Sequence, residues 1–287
     1  MSAAPAGPAL TPALHPIGPG SATWRRGIDW RMPLASRATL LLQVAHPVIG
    51  AGVIDHSEFL RDRWGRISRT LAAVRRYHGF HGPQAAVAEG QRLRDVHRNI
   101  SGMDALGRSY HALNPDAYLW AHATTYAGAA DVRRVFGGTL DGATEDALFR
   151  EWRDVAGILR IPERVIPQTR AAFWDYYHDT VERRLERNAA TELLLELDRY
   201  PMPVPPGVRV PQLVWNSAAA PLAALLRLTT AGLLPATLRE RLRIEWTAER
   251  KQRFERAVVA VRALDRALPA RVRYPAAHRG EPVFESV

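Results

Sequence analysis

The sequence predicts an all-α protein. Three observations lead there: apolar residues recur at helical spacing along most of the chain, strong helix start and stop signals punctuate the runs, and no segment of useful length alternates apolar with polar residues. The expected architecture is one globular domain over residues 24–269, built of roughly eight to ten helices. Residues 1–23, rich in Ala, Pro, Gly and Ser, read as a disordered tail, and residues 270–287 as an irregular C-terminal tail.

Taken in order, an apolar helix runs from Pro33 to about Val44, and Pro47 breaks or kinks it. Gly50 and Gly52 follow, so the chain near His46 should be bent or loosely packed. A second helix spans Trp64 to about Tyr77 and stops at Gly79. Gly82-Pro83 restarts the chain, with Pro83 suited to a first helical position, and this third helix reaches Ile100, with Gly102 as its stop. Asn114-Pro115-Asp116 combines an N-cap, a proline and a first-turn acid, and starts a fourth helix that ends at Gly137-Gly138. Further helices are expected from Thr144 to about Arg160, from Thr169 to about Arg187 and over 212–234. A last helical region covers about 235–268, broken near Trp246-Thr247. Five prolines between 201 and 211 mark a candidate hinge between two halves.

Composition removes several function classes. The chain has 287 residues, of which 47% are hydrophobic and 24% charged, as in ordinary soluble domains. It has no Cys, which excludes disulfides, a thiolate-ligated haem, thiolate-held iron–sulfur clusters and Cys-based zinc sites. The net charge is +10, but the 39 basic residues are scattered among 29 acids, so no nucleic-acid partner is expected. No uninterrupted apolar run reaches the ~18 residues of a membrane span. Membrane contact would fall to residues 212–234, although Asn216, Pro221 and Arg227 favour a buried helix there. The N-terminus lacks the charged start and apolar run of a secretory signal, so the expected compartment is the cytoplasm.

Common catalytic signatures are missing: no His-Glu-x-x-His, no phosphate loop, no nucleophile elbow and no dinucleotide fingerprint. A di-iron site needs two Glu-x-x-His pairs, and the nearest approach is a single Asp175-x-x-His178. His and Arg residues in the first 140 positions remain. His97 shares a helix face with Leu93, Val96 and Ile100, so it reads either as an iron ligand or as a core imidazole bonded to a backbone carbonyl. Arg66, Arg69 and Thr70 stand at i, i+3 and i+4, where they can converge on an anion or form a solvated basic face. His46, Asp55, His56 and Glu58 are candidate bases or turn residues. Tyr118, His122 and Tyr126 form a stripe that suits a core as well as a cofactor pocket.

The ordered set Leu41-Leu42-Gln43-Val44-Ala45-His46-Pro47, Asp55-His56-Ser57, Arg66-x-x-Arg69-Thr70, Val96-His97-x-x-x-x-Gly102 and Asn114-Pro115 through Trp120-x-His122 resembles the family of MpaB-type oxygenases and latex-clearing rubber oxygenases. The resemblance covers roughly residues 33–140. It implies helices enclosing a haem b, with His97 as the proximal iron ligand. It also implies Arg66, Arg69 and Thr70 on the distal side, and His46 and His122 among the cofactor contacts. The family's distal motif carries Lys where this chain has Arg69; a guanidinium stays protonated and does not ligate iron, so a lysine-ligated closed state does not carry over. Candidates for the family's distal carboxylate position are Glu58, Asp55 and His56. The implied activity is O2-dependent oxidation or cleavage of a C=C bond in a small apolar, isoprenoid or lipid-like substrate. The competing expectation is a helical binding module without haem, in contact with a membrane or not.

Overall fold

The computed structural model describes residues 17, 18, 20–56, 61–197 and 200–275. These form twelve α-helices, two single-turn elements and one short hairpin; ten helices run eight residues or more, in line with the expected number. In chain order they are α1 (Pro33–Val44), α2 (Pro47–His56), α3 (Arg63–Tyr77), α4 (Pro83–Arg98), β1 (Ser101–Met103), β2 (Ser109–His111), α5 (Pro115–Phe136) and α6 (Gly142–Ile158). Then follow α7 (Arg170–Arg183), α8 (Ala189–Glu196), α9 (Gln212–Leu233), α10 (Ala236–Arg241), α11 (Ala248–Ala267) and α12 (Ala270–Arg273).

Helix starts follow the side chains that satisfy the first free N–H groups. Asp62, Asn114, Asp141, Thr169 and Thr247 each accept a bond from the first turn of the helix that follows. Asn188 and Thr191 cap α8 reciprocally, a helix that lies outside those expected from the sequence. Pro47 has no N–H to extend α1, so a new helix begins there and α2 leaves α1 at 99°. The corner is bent but not loose: His46 is buried within it.

α1 lies at the centre, between α5 and α9. Trp120 on α5 is fully buried and donates its indole N–H to the Leu42 carbonyl at 2.8 Å. Gly128 lets α1 and α5 approach: a Cβ there would stand 2.5 Å from the Thr39 hydroxyl oxygen. No single helix among the described residues is long and apolar enough to cross a membrane.

Several expectations need correction. The expected stop at Gly102 lies inside β1, which pairs antiparallel with β2 in the register Gly102 opposite Tyr110. Gly102 leaves room for the Tyr110 hydroxyl, which a Cβ would meet at 2.8 Å. Ile17, Ala22 and Thr23 belong to the fold and not to the expected tail over 1–23: Ile17 and Ala22 are buried, and Glu151 accepts the N–H groups of Ala22 and Thr23. At the other end the fold continues past 269, because α12 follows and Tyr274 is buried. The Pro-rich segment does not separate two halves. Leu233, Leu238 and Val258 pack in the same core as Leu41, Trp120 and Phe173. Its backbone is held by α3, where Arg63 donates to the Tyr200 carbonyl at 2.6 Å and Trp64 to the Pro203 carbonyl at 2.8 Å.

Candidate functional site

α3 and α4 pack side by side and bring Arg66 toward His97. α3 is started by Asp62 and closes at Gly79, whose φ of 78° fits the left-handed region open to glycine. α4 starts at Pro83 and is drawn against α6 at Gly90, where a Cβ would lie 2.2 Å from the Ile158 carbonyl oxygen. The close approach anchors the helix two turns before His97.

His97 sits in the last turn of α4, half-buried, with its ring edge-on to Tyr118 of α5 at 5.8 Å between centroids. Its Nδ1 lies 2.6 Å from the Leu93 carbonyl oxygen. A carbonyl only accepts, so Nδ1 carries the proton and Nε2 holds a lone pair. Among the described residues nothing hydrogen-bonds that Nε2. Burial holds the imidazole below its ordinary pKa, against the Leu93 bond, and the Arg66 and Arg92 cations push the same way as burial. His97 is therefore a neutral imidazole with a fixed tautomer.

The distal trio is only partly convergent. Arg66 donates to the Thr70 hydroxyl at 3.3 Å, and Thr70 donates to the Arg66 carbonyl at 2.9 Å. Thr70 therefore spends its proton on its own helix. Arg69 turns away and pairs with Asp62 at 3.0 Å. Arg66 has no carboxylate partner among the described residues; crowding and the Arg69 charge hold its pKa below the ordinary value. Its side chain is exposed by surface area, so this dehydration is partial.

The other expected residues lie elsewhere. His46 is buried at the α1–α2 corner near Arg184, Asp116 and Glu186; burial first, then Arg184, pushes it down to about 4, and its Nδ1 has no hydrogen-bond partner among the described residues. His122 belongs to the aromatic core. It stacks on Trp152 at 5.0 Å, bonds the Trp152 carbonyl through Nε2 at 2.9 Å, and is pushed down to about 3 by burial. No described contact joins either to His97. Tyr126 packs with Phe149, Trp152 and Phe173, so the stripe divides: its first ring meets His97 and its other two fill the core. His56 is exposed at the end of α2, with its ring 6.5 Å from Tyr110. Asp55 accepts from the Tyr110 hydroxyl, a pairing no local sequence signal announces because 55 residues separate the two. Burial first, then this bond, pushes Tyr110 up to about 12. Glu58 lies outside the described residues.

Apolar side chains flank this region without cover. Val96 on α4 is 52% exposed and Leu71 on α3 is 57% exposed. Trp64 of α3 meets Trp215 of α9, and the same half of α9 exposes Leu213, Val214 and Leu222. Among the described residues no group of three or more His, Asp or Glu forms an ion-binding cluster. A single imidazole is what a b-type haem requires of its proximal side.

The family described as "ER-bound oxygenase mpaB/B'/Rubber oxygenase, catalytic domain" matches residues 24–263. This chain belongs to that family. The match extends well past the motifs, through α11 almost to its end, so the oxygenase catalytic domain accounts for nearly all of the described fold. An uncharacterized protein of Mycobacterium bovis is 26% identical over 250 residues, covering 83% of this chain and 90% of its own length. An uncharacterized protein of Mycobacterium tuberculosis matches with the same identity and coverage. No solved structure matches significantly. Membership in the mpaB/rubber oxygenase family supports a general oxygenase role for the chain.

Proposed function

We propose that this member of the mpaB/rubber oxygenase family is a haem-b-dependent oxygenase that oxidises or cleaves a C=C bond in a small apolar, isoprenoid or lipid-like substrate. The observation that carries the reading is the state of His97: Nδ1–H committed to Leu93, Nε2 without a hydrogen bond among the described residues, and the ring neutral. That donor set fits ferrous or ferric haem, and the carbonyl bond is the kind of support that orients a ligating imidazole and raises its basicity.

Bound haem would supply the O2 chemistry. The chain's own residues do the rest. His97 would hold the iron through Nε2. Arg66, which has no carboxylate partner among the described residues, offers a cation for a propionate or for negative charge near the reacting oxygen. Arg69 is committed to Asp62 and stands as a second-rank candidate; its guanidinium cannot replace a ligating lysine. The uncovered apolar surface of α3, α4 and α9 suits a hydrocarbon substrate, because exposed apolar patches mark ligand or interaction surfaces. The cytoplasm is the proposed compartment.

The test is an absorption spectrum of protein produced with ample haem, before and after dithionite and CO. A Soret band that His97→Ala abolishes or strongly shifts is the expected result. Colourless wild-type protein would overturn the proposal and leave a helical module without haem.

A further inference from the structure

The end of α4 and the start of α5 are clasped by the hairpin between them. Ile100 donates its N–H to the His97 carbonyl at 3.2 Å, and its own carbonyl accepts the N–H of Ala112 at 2.9 Å. β1 and β2 continue that pairing, with Ser101 opposite His111 and Gly102 opposite Tyr110. Asp104 closes the hairpin turn by accepting the N–H groups of Leu106 at 2.9 Å and Arg108 at 2.8 Å. Tyr110 donates to Asp55, which fastens the hairpin to α2. Asn114 then caps α5, and Tyr118 donates its N–H to the Asn114 carbonyl at 2.9 Å. The hairpin thus returns the chain to the end of α4 and brings Tyr118 beside His97.

The two rings pack T-shaped, with 5.8 Å between centroids and 65° between planes. Tyr118 is a firm support. It packs against the hydrophobic core, and Trp120, two residues on, ties α5 to the Leu42 carbonyl at 2.8 Å. Among the described residues no other aromatic ring meets His97. The two neighbouring cations do not brace the ring either. Arg92 is held by Glu89 at 2.9 and 2.5 Å, and Arg66 donates to Thr70 at 3.3 Å.

The Leu93 bond fixes the tautomer of His97 but not the plane of its ring. A carbonyl oxygen accepts over a broad range of directions, so one hydrogen bond leaves the imidazole free to rock. A contact from a second helix removes that freedom. An aromatic contact is also directional, because an electron-poor ring edge is drawn to an electron-rich face. An aliphatic side chain of similar size fills the space without that preference.

We propose that Tyr118 is a positioning residue: its ring sets the plane of the His97 imidazole, and with it the orientation in which Nε2 meets iron. This inference rests on the haem reading given above.

The test compares Tyr118→Phe, which keeps the ring, with Tyr118→Leu and Tyr118→Met, which replace it by aliphatic chains, all as haem-loaded full-length protein. In the ferric cyanide adduct, the spread of the hyperfine-shifted haem methyl proton resonances follows the plane of the axial imidazole. Tyr118→Phe should reproduce the wild-type pattern. Tyr118→Leu and Tyr118→Met should change it and should release haem to apomyoglobin about tenfold faster. Should the leucine variant fail to fold, the methionine variant carries the comparison. A role confined to packing would lower the urea midpoint of the cofactor-free variants and leave the methyl pattern unchanged; that result overturns the proposal. A phenylalanine variant that shifts like the aliphatic ones overturns it too, since the ring would then not be the active feature. Wild-type protein that takes up no haem overturns the haem reading and this inference together. Wild type that holds haem through His97, with aliphatic variants that keep its pattern, overturns this inference alone.

Discussion

The Nδ1 of His97 donates to the carbonyl oxygen of Leu93, one helical turn earlier, at 2.6 Å. That bond selects one tautomer and aims the other nitrogen away from the helix. In the cofactor-free protein, ¹⁵N chemical shifts should therefore show His97 neutral with the proton on Nδ1. A predominantly Nε2–H ring would contradict the geometry on which the iron-ligand reading rests.

Arg66 should lower the basicity of His97 through its charge. Arg66→Gln removes that cation, so the imidazole pKa should rise toward its ordinary value, and Arg66→Lys should restore the depression. An NMR titration of the cofactor-free variants reads this directly. No movement in Arg66→Gln would show that burial and Arg92 alone set the value.

Gly90 positions α4 without touching the candidate site. A Cβ at Gly90 would meet the Ile158 carbonyl oxygen, which belongs to backbone and cannot step aside. Gly90→Ala should cost about 1–3 kcal/mol in urea unfolding and reduce haem uptake, since the helix carrying His97 must shift. At Gly142 a Cβ meets nothing within 4 Å, so Gly142→Ala should stay within about 0.5 kcal/mol of wild type. Equal stability of the two variants would refute the close-approach argument.

Acid stability should follow the buried histidines. His122 is pushed down to about 3 and His46 to about 4, both below the ordinary value of 6.5. As pH falls through 6.5 the unfolded chain takes up protons that the folded protein refuses. Stability is therefore lost from about pH 6.5 downward, at ~1.4 kcal/mol per pH unit for each ring. His122→Gln keeps an N–H for the Trp152 carbonyl and does not titrate. It should flatten the pH dependence of the urea midpoint between pH 6 and 4 by one ring's share (roughly 1.4 kcal/mol per unit). An unchanged slope would mean that His122 is already protonated in the fold.

Arg31 joins the two ends of the chain's core. It is fully buried, pairs with Asp29 and with Asp265 at 3.4 Å, and donates to the carbonyls of Phe136 at 2.9 Å and Gly137 at 2.7 Å. Arg31→Met would leave the buried Asp29 carboxylate without its cation, while Asp265 keeps Arg273 at 3.2 Å. The expected loss is ~3–5 kcal/mol, measured by urea unfolding. A loss under about 1 kcal/mol would show that the acids find other partners or water.

Much of this was legible in the sequence because it is local. Asn114-Pro115, Thr169 and Thr247 start helices through bonds to their own next turn, and Pro47 ends one by lacking an N–H. The spacing that placed His97 above Leu93 also fixed the partner of its Nδ1, since both lie on one helix. The same spacing could not say that Arg69 would pair with Asp62 while Arg66 donated to Thr70, nor that His122 would stack on Trp152.

The sequence by itself determined the helical class, the family motifs and the absence of thiolate chemistry, because each depends on residue type and short-range periodicity. Only the tertiary structure decided which polar groups meet. Arg31 with Asp265 and Tyr110 with Asp55 join residues far apart in the chain. Local pattern carries no information about such encounters; burial and the close approach of helices at Gly90 and Gly128 create them.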